Sequence, residues 1–380
     1  MSGAYFAVTA PGLDGLAAQE LRRLGIAVDQ SSSPAGDWEQ PGEDSGGGVP
    51  FSGDLTALYR ANLYLRTASR VLLRLGNFYA ADFATLRKRA GGLAWERYLA
   101  PGQPVSLRVT CHKSRLYHSG AVAERVLAAI GDRLGQPAPA APASSPAAPP
   151  AEIPAQMVVV RLVHDHCTIS VDSSGALLHR RGYRQATAKA PLRETLAAGM
   201  LLASGWDGTS PLLDPFCGSG TIAIEAALLA LGIPPGIQRS FAFMRWPGYN
   251  PEDWRALIDG CQTHPLSACP PIQASDRDAG AIAMARANAA RAGVAECVQL
   301  TCQAVSAIAP PDKPGWMVTN PPYGLRVSAA KDLRNLYAQL GNVLRAKCPG
   351  WQVAILCNDL QLLGQTGLRL DTSFGTLNGG

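Results

Sequence analysis

The chain lacks the features that would place it in several large protein classes. Among its 380 residues no apolar run is long enough to cross a bilayer, and no signal-like segment opens it. Its nine cysteines form no C-x-x-C pair and are not grouped with the six histidines as metal ligands are. The net charge of only +5 permits nucleic-acid binding without requiring it. These absences favour a cytoplasmic protein with reduced thiols and no metal. Its length predicts two or more domains, and its 47% apolar content is enough for sizeable cores.

A glycine turn in residues 212–227, LLDPFCGSGTIAIEAA, is the strongest local pattern. A short apolar run ends at Asp214, the turn contains Gly218 and Gly220, and Thr221 opens an apolar helical pattern. Such a strand–turn–helix unit binds nucleotide-like cofactors at the carboxyl end of a parallel strand. No lysine follows the turn, which excludes a phosphate-binding P-loop, but a dinucleotide site and an ordinary tight turn both remain open.

A second motif, Asn320-Pro321-Pro322-Tyr323, follows the apolar residues 316–318. Together, DPFCGSGT and NPPY resemble the class I S-adenosylmethionine (SAM) methyltransferases that methylate exocyclic amino groups of nucleobases. The resemblance implies SAM as the cofactor. It also implies an α/β fold with a Rossmann-like, seven-stranded, doubly wound sheet. The alternation of strand and helix patterns in residues 207–380 agrees with this fold class.

The NPPY residues suit a reaction at a nucleobase amino group. The lone pair of such a nitrogen is delocalised, so acceptors on its N–H groups must stabilise the pyramidal form and aim the lone pair. Asn320 offers an amide oxygen and Pro321 a backbone carbonyl, while Pro322 stiffens the turn and Tyr323 offers a stacking face. We therefore expect these four residues to be the catalytic ones.

Three side chains are expected to define the cofactor site. Asp214 is placed near the methionine amino group, and Asp276, at the end of the next strand pattern, suits the ribose hydroxyls. Asp276 could instead cap the following helix, a role that Asp278 fills equally well. Many relatives have Asp near position 303 to contact the adenine amino group, whereas this chain has Gln303. The resemblance assigns further cofactor contacts to Thr195, Pro215, Phe216, Gly218, Gly220, Thr221, Arg277, Ala304 and Asn320.

The N-terminal part reads as two small α+β units. Residues 1–76 resemble the ferredoxin-like domain that usually precedes a THUMP domain, and residues 77–175 resemble THUMP itself, interrupted by a flexible Ala/Pro insert at 137–152. This resemblance implies binding of structured RNA. The loop 111–118 combines basic, hydroxyl and aromatic groups as RNA contacts do, with Lys113, Arg115 and His118 as candidates. The alternative is a solvated polar loop.

The most basic stretch lies at 174–206 and is interpreted as a linker and helix spanning 176–206. Arg180, Arg181 and Arg184 suit phosphates and Tyr183 suits a base, although a solvated hinge is the alternative. The sequences HRRGYR and APLRETLAA resemble the junction of bacterial large-subunit ribosomal RNA guanine-N2 methyltransferases. The expectation is therefore a monomeric enzyme that methylates guanosine N2 in large-subunit rRNA. A tRNA guanine-N2 enzyme, a DNA adenine-N6 enzyme and a catalytically silent RNA-binding assembly factor are the alternatives.

Overall fold

The computed structural model describes residues 3–29, 47–141, 154–184, 192–323 and 330–376. Most of the predicted Ala/Pro insert and the last four residues lie outside these ranges. Two β-sheets with helices packed on them organise the described chain, as expected for an α/β protein. No described helix has the length and hydropathy that a membrane span requires.

The N-terminal half is built on one seven-stranded sheet with the order β2-β3-β1-β4-β7-β6-β5. Its strands are β1 (Gly3–Thr9), β2 (Ala27–Val28), β3 (Gly48–Gly53), β4 (Ala68–Tyr79), β5 (Val105–His112), β6 (Gln156–Val163) and β7 (His166–Asp172). The long β4 pairs antiparallel with β1 on one side and β7 on the other. The predicted domain boundary at 76/77 therefore falls inside β4, and the two N-terminal units share one sheet.

The helices of this half are α1 (Asp14–Arg23), α2 (Leu55–Tyr64), α3 (Phe83–Gly91) and α4 (Ser119–Leu134). Helical periodicity in the sequence predicts a helix over residues 119–134, which are the bounds of α4, because its apolar residues recur on one face and become buried. The start of the predicted flexible insert differs from expectation. The Val105 backbone accepts from Ala141 N and donates to Pro139 O, both at 2.9 Å, so residues 137–141 run along the sheet edge.

The C-terminal half contains a parallel sheet with the order β10-β9-β8-β11-β12. Its strands are β8 (Leu212–Asp214), β9 (Ile272–Asp276), β10 (Val298–Cys302), β11 (Trp316–Thr319) and β12 (Gln352–Ile355). Its helices are α5 (Glu194–Ala203), α6 (Thr221–Ala230), α7 (Pro251–Asp259), α8 (Ala279–Arg291), α9 (Ala330–Lys347) and α10 (Leu360–Gly364). The described residues thus form five of the seven predicted strands, and residues 365–376 add none.

Strand order reverses between β8 and β11, which is where ligands bind in doubly wound sheets. The two motifs found in the sequence follow these two adjacent strands. Their carboxyl ends therefore meet at one crevice.

The segment between α6 and β9 is rich in aromatic residues and attaches the two halves to each other. The Phe243 ring stacks on Tyr59 of α2 with centroids 4.6 Å apart. Trp246 Nε1 donates to Gln156 Oε1 at the start of β6 over 3.0 Å. Phe241, Phe243 and Trp246 consequently belong to the core of the N-terminal half.

Candidate active site

Asp214 ends β8 as a buried carboxyl. It accepts hydrogen bonds from Thr319 Oγ1 at 2.6 Å and from Phe216 N at 3.3 Å. Burial, reinforced by the nearby charge of Asp276, raises the pKa of Asp214 to about 7. Both described donors are neutral, so the carboxylate would be stabilised by a cationic ligand. The ammonium of SAM fits this requirement.

The two glycines of the turn have different structural roles. Both lie in the left-handed region, with φ of +51° at Gly218 and +84° at Gly220. A Cβ at Gly218 would stand in open space, so this backbone is accessible to a ligand. A Cβ at Gly220 would lie 3.0 Å from Ala285 Cβ of α8. Gly220 thus permits close helix packing and Gly218 opens the backbone, while the cofactor contacts of both glycines stay predictions.

Asp276 is joined to the turn rather than to the helix that follows it. Its Oδ2 accepts from Gly218 N and its Oδ1 from Asp278 N, both at 3.0 Å. The N-cap of α8 is Asp278, whose Oδ1 accepts from Gly280 N at 2.7 Å, so the capping alternative for Asp276 is wrong. Each oxygen of Asp276 keeps acceptor capacity for a ribose hydroxyl. Gln303 N donates to the Asp276 carbonyl at 2.9 Å, which places Gln303 beside this site.

The remaining predicted cofactor residues differ in their exposure and in their partners within the protein. Arg277 and Ala304 are exposed next to Asp276 and Gln303, whereas Pro215 and Phe216 continue from Asp214. Thr195 is buried in α5. The Thr221 hydroxyl accepts from Arg184 Nη2 at 2.6 Å and is therefore engaged within the protein.

Asn320 directly follows Thr319, whose hydroxyl is bonded to Asp214. Its amide oxygen is buried and accepts no hydrogen bond from any described residue. Buried acceptors are nearly always satisfied, so this oxygen is suited to a donor from a ligand. Pro321 is buried, Pro322 is half-buried, and the half-buried Tyr323 packs in a cluster with Tyr337 and Leu362.

The predicted RNA-contact loop at 111–118 is presented on the surface. Lys113, Arg115 and His118 are exposed. Tyr117 is 70% exposed, and its ring centroid lies 4.1 Å from that of His118. Arg115 N donates to Asp165 Oδ1 at 2.6 Å, which braces the loop against the β6–β7 turn. The basic and aromatic groups are thus available to a partner.

The second predicted RNA-contact stretch is mostly internal, and this corrects the expectation. Arg181 is 4% exposed and lies 3.4 Å from Glu225 of α6, while Tyr183 is 2% exposed and donates to the same carboxylate at 3.1 Å. Arg184 lies 3.4 Å from Glu194 of α5. These three side chains cannot meet RNA without leaving buried partners, whereas Arg180 is exposed and stays a candidate.

Sequence reasoning missed several residues that organise the site. Glu225 could have been recognised from the sequence, since it is the one charged residue in the apolar helix α6 and a buried charge needs a partner. Thr319 adjoins the NPPY motif but matches no pattern itself. Asn288 and Arg66 act mainly on backbone carbonyls, for which the sequence offers no sign.

Comparison with known proteins identifies the family of this chain. A family model described as "RMKL-like, methyltransferase domain" matches residues 181–373. The chain belongs to this methyltransferase family. A second model, the RlmL ferredoxin-like domain, matches residues 40–72. The family is SAM-dependent, so the predicted cofactor is confirmed. The THUMP assignment and the individual site residues stay predictions.

Two relatives illustrate the extent of the match. A Synechocystis protein named "Putative RNA methyltransferase" is 34% identical over 378 residues, covering 99% of this chain and 94% of the relative. The "Ribosomal RNA large subunit methyltransferase K/L" of Psychromonas ingrahamii is 35% identical over 382 residues, covering 99% of this chain and 48% of the relative. The chain thus spans about half the length of the K/L protein.

Two solved structures share the fold over nearly the whole chain. A "predicted N6-adenine-specific DNA methylase" from Listeria monocytogenes is 31% identical with a TM-score of 0.82, covering 97% of this chain and 92% of its own. Another protein, titled a "putative methyltransferase complexed with SAH", is 28% identical with a TM-score of 0.84, covering 100% and 95%. SAH is the demethylated product of SAM, so a protein of this fold holds the expected ligand.

Proposed function

We propose that this chain transfers a methyl group from SAM to the N2 amino group of a guanosine in large-subunit rRNA. The observation that carries the proposal is the buried amide oxygen of Asn320, which accepts a hydrogen bond from no described residue and lies next to the Asp214–Thr319 pair. An acceptor of this kind beside a cofactor crevice suits a substrate that brings an N–H group.

The residues present fit the cofactor. Asp214 would hold the ammonium, Asp276 the ribose hydroxyls, and the open backbone at Gly218 would allow close approach. Gln303, beside Asp276, would accept from the adenine amino group through its amide oxygen. SAM supplies an electrophilic methyl group when it is bound.

The catalytic role of Asn320 follows from the electronic structure of the target. Its Oδ1 accepts one N–H of the base amino group, and the Pro321 carbonyl is assigned the second. These bonds strengthen as the nitrogen becomes pyramidal and positively charged, so they lower the barrier more than they improve substrate binding. The proton can leave after transfer, and no strong base is needed. Tyr323, held by its cluster with Tyr337, would stack on the base.

RNA capture is assigned to the exposed loop at 111–118. Lys113 and Arg115 would contact phosphates, while Tyr117 and His118 would stack on an unpaired base. A paired guanosine must be flipped out of its helix, which costs roughly a few kcal/mol. Backbone contacts from this loop and from Arg180 would offset that cost.

The junction HRRGYR–APLRETLAA favours guanosine in large-subunit rRNA, and the name of the K/L relative favours large-subunit rRNA as the substrate. The NPPY chemistry by itself serves adenine N6 equally well, and the Listeria structure is titled for that activity. The base must therefore be identified by experiment.

Product analysis tests the proposal. The protein is incubated with labelled SAM in three separate reactions, which contain unmodified large-subunit rRNA, tRNA or duplex DNA. Each product is then digested to nucleosides. We expect N2-methylguanosine from rRNA alone. N6-methyladenosine would overturn the base assignment, and label only in tRNA would overturn the RNA assignment. Normal SAH binding without transfer to any of the three would favour the silent assembly factor.

A further inference from the structure

Residues 181–184, here called the junction segment, lie across the cofactor helix α6 with Arg181 and Tyr183 buried. Arg181 and Tyr183 both contact Glu225 in the middle of this helix, and Arg184 Nη2 donates to Thr221 at its first residue. Thr221 directly follows the cofactor turn. The segment thus touches α6 where the helix leaves the turn and again one helical turn later.

A second route connects the junction segment with the turn itself. Arg291 of α8 donates its Nε to the Tyr183 carbonyl at 2.6 Å, and its Nη2 donates to Asn288 Oδ1. Asn288 Nδ2 in turn donates to the Ser219 carbonyl at 3.0 Å. Ser219 lies between Gly218 and Gly220, so this chain of hydrogen bonds ends inside the cofactor turn.

The junction segment is also anchored to the N-terminal half. Arg181 Nη2 donates to the carbonyl of Arg66 at 2.6 Å, and Arg66 Nη2 donates to the Ile233 carbonyl beyond the end of α6 at 2.7 Å. Arg66 follows α2, on the same sheet unit that presents the RNA-contact loop. A continuous buried network therefore runs from the N-terminal half to the Ser219 carbonyl.

We infer that Asn288 is a positioning residue that, together with the junction segment, holds the cofactor turn in its binding conformation. The turn needs such support because its two glycines have left-handed φ values and, lacking side chains, restrict the backbone little. The amide of Asn288 fixes the carbonyl of Ser219, the residue between them. Asn288 thereby sets SAM affinity by orienting the Gly218 backbone.

This inference rests on the proposed function only for the location of the cofactor. It is tested by calorimetric titration of SAH in the absence of RNA. Failure of the rRNA or guanosine assignment would therefore leave the titration interpretable, and failure of the titration would leave the product analysis interpretable.

The chain offers a matched control for the substitution. Asn288 and Asn62 are each 1% exposed, and each donates from its amide to a backbone carbonyl. Asn62 lies in α2 of the N-terminal half. We expect Asn288→Ala to weaken SAH binding about tenfold, as the loss of one buried hydrogen bond implies, while Asn62→Ala retains wild-type affinity. Both variants should lower the unfolding midpoint, because both remove buried hydrogen bonds.

A second variant keeps the test decisive if Asn288→Ala folds poorly. Asn288→Asp preserves an acceptor for Arg291 and removes the amide donor to Ser219. Its carboxylate keeps Arg291 as a partner, so it should fold with a lowered unfolding midpoint, bind SAH more weakly, and raise the KM for SAM while kcat at saturating SAM stays near wild type. Wild-type SAH affinity in both Asn288 variants, or an equal loss in Asn62→Ala, would overturn the inference.

Discussion

Two basic stretches in this chain look alike in sequence and differ in the structure. Lys113 and Arg115 lie in an exposed loop beside Tyr117, whereas Arg181 and Arg184 are buried against the carboxylates of α5 and α6. Both stretches combine arginine with an aromatic residue, which is the composition of an RNA contact. The difference is burial: Arg181 and Arg184 pair with carboxylates inside the protein, whereas Arg115, 3.8 Å from the Asp165 carboxylate, keeps 75% of its side chain exposed.

The same contrast separates two buried carboxylates of the cofactor half. Glu225 meets Arg181 and the Tyr183 hydroxyl. Asp214 meets only neutral donors among the described residues. A buried charge that the protein itself pairs is structural, and one that lacks a cationic partner is suited to a ligand. Whether a carboxylate is structural or available to a ligand depends on tertiary contacts, which composition does not reveal.

The largest effect is expected when the buried ion pair of Arg181 and Glu225 is broken. Arg181→Met leaves the Glu225 carboxylate buried without its cation and should lower the free energy of unfolding by about 3–5 kcal/mol. Urea unfolding measures this, with Arg115→Met as the control that should change stability by less than about 0.5 kcal/mol. Adding Glu225→Leu to Arg181→Met should restore part of the loss. Equal unfolding midpoints for the two single variants would remove the distinction between the stretches.

A smaller effect is expected from the carboxyl that lacks a cationic partner. Because the pKa of Asp214 is raised to about 7, the group is increasingly protonated as pH falls below that value and must lose its proton to hold an ammonium. SAM affinity should therefore fall about tenfold per pH unit between pH 7 and pH 5, where an α-amino group stays charged. Calorimetry at several pH values measures the slope. Asp214→Asn should bind weakly with no such slope, and a flat wild-type profile would contradict the assignment.

The smallest effect concerns the exposed loop. Lys113→Ala with Arg115→Ala should weaken RNA binding and reduce the slope of log affinity against log salt by about 1 per lost phosphate contact. Filter binding at several salt concentrations measures both, and SAH affinity should be unchanged. Arg87→Ala, an exposed arginine paired with Asp132 outside the loop, is the matched control. An unaltered salt slope in the double variant would show that the loop is a solvated surface and does not contact RNA phosphates.

Sequence patterns predicted those parts of the fold that depend on local periodicity. For helix α4 and strands β6, β7 and β9, the sequence patterns predict residues 119–134, 157–162, 167–172 and 272–275. The observed elements lie within a residue of these bounds, since alternating or helical burial directly reflects side-chain direction. The placement of Asp214 and Asn320 at one crevice also followed, because the carboxyl ends of parallel strands meet at one edge of a sheet.

The contacts between distant segments could not be predicted. Strand β4 joins the two N-terminal units into one sheet, and no local signal distinguishes a shared strand from an ordinary one. Arg66 and Asn288 donate to the backbone carbonyls of Ile233 and Ser219. Every residue has such a carbonyl, so the sequence does not mark these acceptors. Such residues become recognisable only when the partner backbone is positioned.

Single-turnover methyl transfer by Asn320→Ala tests the central claim most directly. Wild type, Asn320→Ala and Tyr323→Phe are compared on unmodified large-subunit rRNA at saturating SAM, and SAH and RNA affinities are measured alongside. We expect Asn320→Ala to lose about 2–4 kcal/mol of barrier lowering, the magnitude for removing one oxyanion-type group, with both affinities nearly unchanged. Tyr323→Phe should retain most activity because its ring still stacks. Wild-type transfer by Asn320→Ala would contradict the mechanism.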